Sequence, residues 1–364
     1  MSNQIGSGEN PNPLRLLVFG AGALGTYVGG SLALAGNIVV FLEKREVADE
    51  LRQRGLRLNL LGKEELVKGL QVAGSLDGAL SKGPFDVAIF ALKSYDTQPV
   101  LDNLQPYRDS LPPILCLQNG VENEPALEAA LGRDKIIAGT VTSAIGRRAA
   151  GDILLERLRG LGVAAHHPLS SGLVEAMNAA KLNARLYPQA ADMKWSKMLT
   201  NLLANATSAI LNLTPAEIFA HPGIYRLEVA QIRETLAVMH AQAIRVVDLP
   251  STPVRLLAFA VRTLPASISR PLLQRAVGRG RGAKMPSFYI DLHSGRGKSE
   301  VDYLNGAVVR YGERLNIPTP ANRLLNETLL ALTNGETPLD TFDHQPEKLL
   351  GQWKGIHKYD EPAT

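Results

Sequence analysis

The run Leu16-Leu17-Val18-Phe19, emptying directly into Gly20-Ala21-Gly22-Ala23-Leu24-Gly25, constrains this 364-residue chain more than any other stretch. An apolar strand followed at once by G-x-G-x-x-G has a specific physical reading. Gly20 permits a tight turn, Gly22 lets backbone approach a pyrophosphate, and Gly25 lets the next helix pack closely on the strand. That helix, from about Ala23 to Ala35, points its unpaired N–H groups and positive dipole end at phosphates. A second apolar run, Ile38 to Leu42, stops at Glu43, where a carboxylate suits a ribose hydroxyl. The glycines alone are weak evidence. Strand, glycines, helix, second strand and terminal acid in this order predict a dinucleotide site.

The alternation continues. Phe85 to Leu92 reads as a buried strand ending at Lys93, Pro113 to Leu117 as another ending at Gln118-Asn119-Gly120, and Ile136 to Thr142 as a third. Strands alternating with helices imply crossovers and a parallel sheet, whose ligands bind beyond the carboxyl ends of the strands. Lys93 and Asn119 stand at such ends, although each also suits a plain strand-end polar residue. Gly151 to about Ala165 reads as a hairpin extending the sheet. Beyond Leu186-Tyr187-Pro188 helical periodicity takes over, in Trp195 to Leu211, Ile224 to Val247 and Val301 to Leu315. The predicted fold class is α/β, an N-terminal Rossmann-type parallel-sheet domain with a C-terminal, mostly α-helical domain. The expected divisions are a disordered tail at 1–13, the dinucleotide-binding domain at 14–187, a helical substrate and catalytic domain at 188–345, and a C-terminal tail at 346–364.

Composition excludes several classes. Hydrophobic residues make up 45% and charged residues 20%, and no apolar run reaches spanning length, so no stable membrane insertion is expected. The lone Cys116 sits in an apolar strand and reads as packing in a reducing, cytoplasmic compartment. The seven histidines show no metal-ligand spacing, so no metal is expected. The net charge of +4 is unevenly placed. Between Asp248 and Asp291 there are six arginines (Arg255, Arg262, Arg270, Arg275, Arg279, Arg281) and Lys284, but no acid. No recognition motif or aromatic interleaving accompanies them, which argues against nucleic acid. Within this basic insertion, 249–284, Pro265 and Pro271 are expected to break the helix and Gly278–Gly282 to form a hinge.

Lys197, Asn201 and Asn205 recur at i, i+4 and i+8, hence on one face of one predicted helix beside Met198, Leu199, Leu202 and Leu203. Such a stripe lines either a polar cleft or a solvated face, and spacing does not choose. Glu300, taken by itself, reads as a helix-start acid.

Six pieces of the chain, taken together and in order, resemble the ketopantoate reductase (2-dehydropantoate 2-reductase) family. They are Gly20 to Gly25, Leu92-Lys93-Ser94-Tyr95-Asp96-Thr97, Leu117-Gln118-Asn119-Gly120-Val121-Glu122-Asn123-Glu124, Trp195-Ser196-Lys197 with Asn201 and Asn205, Pro286-Ser287-Phe288, and Ser299-Glu300-Val301-Asp302. They span about Leu14 to Asn322. The resemblance implies reduction of 2-dehydropantoate to (R)-pantoate by NADPH, a step toward pantothenate and coenzyme A. Lys197 would protonate the developing alkoxide, while Asn201, Asn205 and Ser287 bind the substrate's hydroxyl and carboxylate groups. Glu300 would hold Lys197 and contact the cofactor; Lys93 and Asn119 would position cofactor and substrate. Gly20, Ala21, Gly22, Ala23, Leu24 and Gly25 would cradle the cofactor, with Glu43, Lys44 and Arg45 at its ribose. A cationic acid suits a reaction that builds negative charge on a keto oxygen.

The chain departs from the family at Glu43, where a basic residue suited to a 2′-phosphate is common. NADP(H) is the expected cofactor on family grounds, with NAD(H) the alternative that Glu43 invites. The expected partner is a small 2-oxo acid, on a monomer or homodimer. The rival readings are another 2-oxo acid, a non-catalytic dinucleotide sensor, and an anionic-surface binder using the arginine-rich stretch.

Overall fold

In this computed structural model, which describes residues 12–281 and 284–357, the central strands of the N-terminal half, such as Val87–Phe90, Ile114–Cys116 and Ile136–Val141, are buried on both faces. The strands are β1 (Arg15–Phe19), β2 (Ile38–Leu42), β3 (Leu56–Leu60), β4 (Lys63–Val67), β5 (Gln71–Ala73), β6 (Val87–Phe90), β7 (Ile114–Cys116), β8 (Ile136–Val141), β9 (Ala144–Ala149), β10 (Asp152–Arg157), β11 (Leu161–Ala164) and β12 (Ala184–Tyr187). Eight of them form one sheet in the order β12-β11-β8-β7-β6-β1-β2-β5. The pairs from β5 to β8 are parallel, with Leu17 opposite both Val40 and Ala88. Strands covered on both faces must be apolar throughout, and the period of two sorts their side chains into two cores. Leu16, Val18, Phe41 and Ile89 belong to one, and Leu17, Phe19, Val40 and Phe90 to the other.

The chain leaves β1 for β2 on one side and returns to β6 on the other, so the strand order reverses between β1 and β6. That reversal opens a crevice at their carboxyl ends. Gly20 and Leu92 meet there: a Cβ on Gly20 would lie 2.9 Å from the Leu92 Cδ2.

The helix α1 (Ala23–Leu34) has no solvated face, and Gly25 to Leu32 are all buried. One side lies on the main sheet. The other is covered by a second sheet, β4-β3-β10-β9, whose Leu56 and Leu58 press on Gly30. This corrects the predicted hairpin at 151–165. β10 pairs with β9 and β3, whereas β11 runs antiparallel to β8 in the main sheet. Gly160, at φ +139°, redirects the chain from one sheet to the other, and uncovered apolar surface on α1 accounts for where β10 goes.

Contacts divide the chain into two units. One holds the residues up to Asn119, Asn123–Lys194 and Leu249–Thr252; the other holds Gly120–Glu122, Trp195–Asp248 and the residues from Pro253 on. The second unit is helical. Its long helix Pro222–Ala241 packs against the helices Val254–Thr263, Pro320–Thr333 and Pro346–His357. The last of these occupies most of the predicted C-terminal tail, because Leu349 and Leu350 are buried. Glu234 accepts the N–H groups of Ala321 (2.7 Å) and Asn322 (2.9 Å) and the Asn322 side-chain amide (2.7 Å), closing the first turn of Pro320–Thr333. Burial pushes the Glu234 carboxyl from its ordinary 4.5 up to about 7.

In the basic segment Pro265 does separate two helices, Val254–Thr263 and Ala266–Arg281. Pro271 lies inside the second, which continues through it at the cost of one main-chain hydrogen bond. The predicted hinge Gly278–Gly282 is helical as far as Arg281, the end of that helix, and Gly282 lies outside the described residues, as do the side chains of Arg279 and Arg281, residues 1–11 of the predicted 1–13 tail and residues 358–364.

Candidate active site

The glycine loop shows three distinct constraints. Gly20 has φ +89°, a conformation that side chains disfavour. A Cβ on Gly25 would lie 1.9 Å from the Gly20 carbonyl oxygen, so only glycine lets α1 start there. A Cβ on Gly22 would meet nothing within 4 Å. Open space over Gly22 at the start of a helix is the cradle that a pyrophosphate needs, so the residues present fit a dinucleotide. Ala23 and Leu24 lie in the first turn of α1. The loop is braced from the second sheet, where the Gly151 N–H donates to the Ala21 carbonyl at 2.8 Å.

Glu43 lies at the end of β2 and turns inward. Its Oε1 accepts the Ala21 N–H at 2.5 Å and its Oε2 accepts the Lys44 N–H at 3.1 Å. Lys44 and Arg45 are exposed at the start of the helix Arg45–Arg54.

Lys93 and Asn119, half-buried, each lie three residues beyond the ends of the neighbouring strands β6 and β7 and share one polar network. The Gln118 amide donates to the Lys93 carbonyl (3.2 Å) and to the Thr97 hydroxyl (2.9 Å). The Asn119 carbonyl accepts from the Ser94 hydroxyl (3.1 Å) and the Asn123 amide (2.6 Å). The main chain at Asn119 is thereby fixed.

Sequence reasoning missed Lys194, which underpins this network. Its ammonium, 5% exposed, pairs with Glu124 at 2.6 Å and donates to the carbonyls of Gln118 (2.6 Å) and Gly139 (3.3 Å). A buried charge is tolerated only when paired and hydrogen-bonded in this way. Spacing offered no signal, since Lys194 and Lys197 lie three apart in one amphipathic run. Burial, with the Glu124 carboxylate nearby, pushes the neighbouring Cys116 thiol well above its ordinary range.

In the helical unit, Lys197 and Asn201 are half-buried, one turn apart on the helix Ala190–Leu202. The predicted helix to Leu211 is broken. It stops at Leu202, Ala204 takes φ +49°, and Asn205 precedes a new helix, Ala206–Leu211. The cause is Glu228, a buried residue also missed in the sequence. It accepts the Ala204 N–H at 2.8 Å and the Thr207 hydroxyl at 2.7 Å. The break still leaves Asn205 beside Asn201, its amide donating to the Asn201 carbonyl at 3.0 Å.

That amide also donates to the Ser287 hydroxyl at 3.3 Å, while the Asn205 Oδ1 accepts the Phe288 N–H at 3.1 Å. Asn201, Asn205 and the exposed Ser287 therefore form one polar group, joining residues 82 apart in sequence. Glu300 is 2% exposed. It precedes a single π turn, Asp302–Gly306, that leads into the helix Ala307–Arg314, so the predicted helix begins irregularly. Arg310 binds Glu122 through two contacts, at 3.1 and 2.6 Å, and Asp302 at 3.0 Å.

The chain matches the family model described as ketopantoate reductase PanE/ApbA over residues 16–165, and its C-terminal counterpart over 189–333. It is similar to a 2-dehydropantoate 2-reductase of Lactococcus lactis subsp. lactis, with 27% identity over 316 residues, 84% of this chain and 94% of that protein. It is also similar to the crystal structure of a PanE/ApbA family ketopantoate reductase from Ralstonia eutropha JMP134. That likeness has a TM-score of 0.74 at 26% identity and covers 89% of this chain and 99% of the other. A ternary structure of D-mandelate dehydrogenase with NADH and anilino(oxo)acetate shares the fold, with a TM-score of 0.71 at 22% identity, over 88% and 99% of the two chains. Matched in order across both of its parts, this chain belongs to the ketopantoate reductase PanE/ApbA family of dinucleotide-dependent reductases.

Proposed function

We propose that this protein reduces the keto group of 2-dehydropantoate to the (R)-alcohol, pantoate, with NADP(H), on the route to pantothenate and coenzyme A. The observation that carries the reading is the polar group Asn201–Asn205–Ser287, one helical turn from Lys197. It offers amide and hydroxyl groups for a substrate's carboxylate and hydroxyl, beside a cation. Similarity to the 2-dehydropantoate 2-reductase of Lactococcus lactis supports the choice of substrate.

In this reading the cofactor, when bound, would supply the hydride, with its pyrophosphate held over Gly22 at the start of α1. As the keto oxygen gains charge, the Lys197 ammonium donates the proton that completes the alcohol. Glu300 orients that ammonium, and Asn205 and Ser287 fix the substrate's polar groups. Lys93 and Asn119, anchored through Lys194, align cofactor and substrate. Orientation accounts for much of the rate. Glu43 favours a second cofactor, NAD(H), because a carboxylate at the end of β2 disfavours a 2′-phosphate. Lys44 and Arg45 oppose it, so discrimination is expected to be modest.

The test is oxidation of NADPH and of NADH, followed separately, with 2-dehydropantoate and with a panel of other 2-oxo acids. Turnover of another 2-oxo acid with indifference to 2-dehydropantoate would overturn the substrate. Absence of turnover with every acid would leave a dinucleotide sensor.

A further inference from the structure

The basic segment carries large apolar side chains that its own unit leaves uncovered. In the helix Val254–Thr263, Val254, Leu257 and Val261 face inward, while Leu256 is 62% and Phe259 54% exposed. Arg255 and Arg262 flank them on the exposed side. The helix Ala266–Arg281 repeats the pattern. Ile268 (50%), Pro271, Leu272 (49%) and Arg275 are exposed at i, i+3, i+4 and i+7, whereas Ser269 and Leu273 are buried. The two helices touch, and Tyr225 anchors the second through a 2.5 Å hydrogen bond to Ser269. Single exposed apolar residues need no explanation, but two contacting helices with four of them do. The charged side chains that this segment itself contributes are all basic, since no acid occurs between Asp248 and Asp291.

We propose that this helix pair is a peripheral membrane-binding element for an anionic bilayer. Leu256, Phe259, Ile268 and Leu272 seat among the upper acyl chains, and Arg255, Arg262, Arg275 and Lys284 meet lipid phosphates. Charge selects this occupant. A second copy docked on the same face would bring like cations together about a twofold axis. A lipid surface bearing negative headgroups neutralises them instead. The element lies on the bilayer: no helix among the described residues is long and apolar enough to cross one.

The test uses the full chain, sedimented with vesicles of equal phosphatidylglycerol and phosphatidylcholine, or of phosphatidylcholine alone. A fourfold variant, Leu256→Ser with Phe259→Ser, Ile268→Ser and Leu272→Ser, removes only exposed side chains, and its melting curve checks the fold. The wild type is expected to pellet with the anionic vesicles and to be released by salt. The variant should lose about tenfold or more in partitioning, the scale set by removing several apolar side chains from an interface. Failure of the wild type to bind anionic vesicles would overturn the proposal, as would equal binding by the variant. A concentration-dependent dimer in light scattering that the variant abolishes, without vesicle binding, would assign the face to a second copy and also overturn it.

Discussion

Replacing Glu234 with glutamine isolates one buried carboxyl and gives a pH-dependent result of defined sign. Glu234 closes the first turn of Pro320–Thr333 by accepting three N–H groups. Burial nevertheless raises its folded-state value from 4.5 to about 7. The folded chain therefore holds this proton more tightly than the unfolded chain. The stability that follows is fully present below pH 4.5 and is lost as pH rises through 7. Integrated between pH 5 and pH 8, the loss is about 2.5 kcal/mol. Glu234→Gln has no charge to bury and keeps one accepting oxygen. At pH 5 it should be less stable than the wild type by about 1 kcal/mol, for weakened hydrogen bonds. By pH 8 the difference should shift in the variant's favour by about 2.5 kcal/mol. Urea unfolding of both proteins at several pH values, read by tryptophan fluorescence, measures this. Parallel stability profiles would refute the reasoning, since the carboxyl would then titrate alike in both states.

Lys197→Ala should lower kcat by roughly two to four decades, the scale of a positioned acid, with cofactor binding retained; stopped-flow reduction and NADPH titration separate the two, and an active variant sinks the assignment. Glu300→Ala should lower kcat and raise KM together, whereas a change in melting temperature alone would make it a structural helix-start acid. Glu43→Arg should raise the preference for NADPH over NADH, compared as kcat/KM ratios. An unaltered strong NADPH preference would place the ribose away from this side chain.

Much of the N-terminal unit is legible in the sequence because its constraints are local. Gly20, Gly22 and Gly25 answer to a turn, an open approach and a backbone contact within six residues, and buried parallel strands must read as apolar runs. What escaped notice depends on distant partners. The helix through Lys197 breaks before Asn205 because Glu228, 24 residues beyond Ala204, captures the freed N–H. Ser287 reaches Asn205 across 82 residues; no periodicity records that pairing, and the two residues are grouped only through the family resemblance. Lys194 looked like any amphipathic lysine, since its partners come from Glu124 and two strand ends. β10 left the expected hairpin to cover α1, a demand set by surface that only the folded sheet exposes. The terminal helix Pro346–His357 was missed because its buried pair, Leu349 and Leu350, is diluted by polar neighbours.

The double covering of α1 decides where this enzyme is free to vary. Wedged between two sheets, the helix has nowhere to put added volume. A Cβ on Gly29 would stand 2.7 Å from Phe41, and one on Gly30 would stand 2.9 Å from Leu58. A side chain at either glycine would therefore collide with one sheet or the other, for natural selection and for the engineer alike. The exposed Lys44 and Arg45, with Glu43 beside them, border the same loop without carrying the packing. Under the proposed cofactor site, retuning of cofactor choice would fall to that tripeptide, while α1 would serve as the fixed mount beneath it.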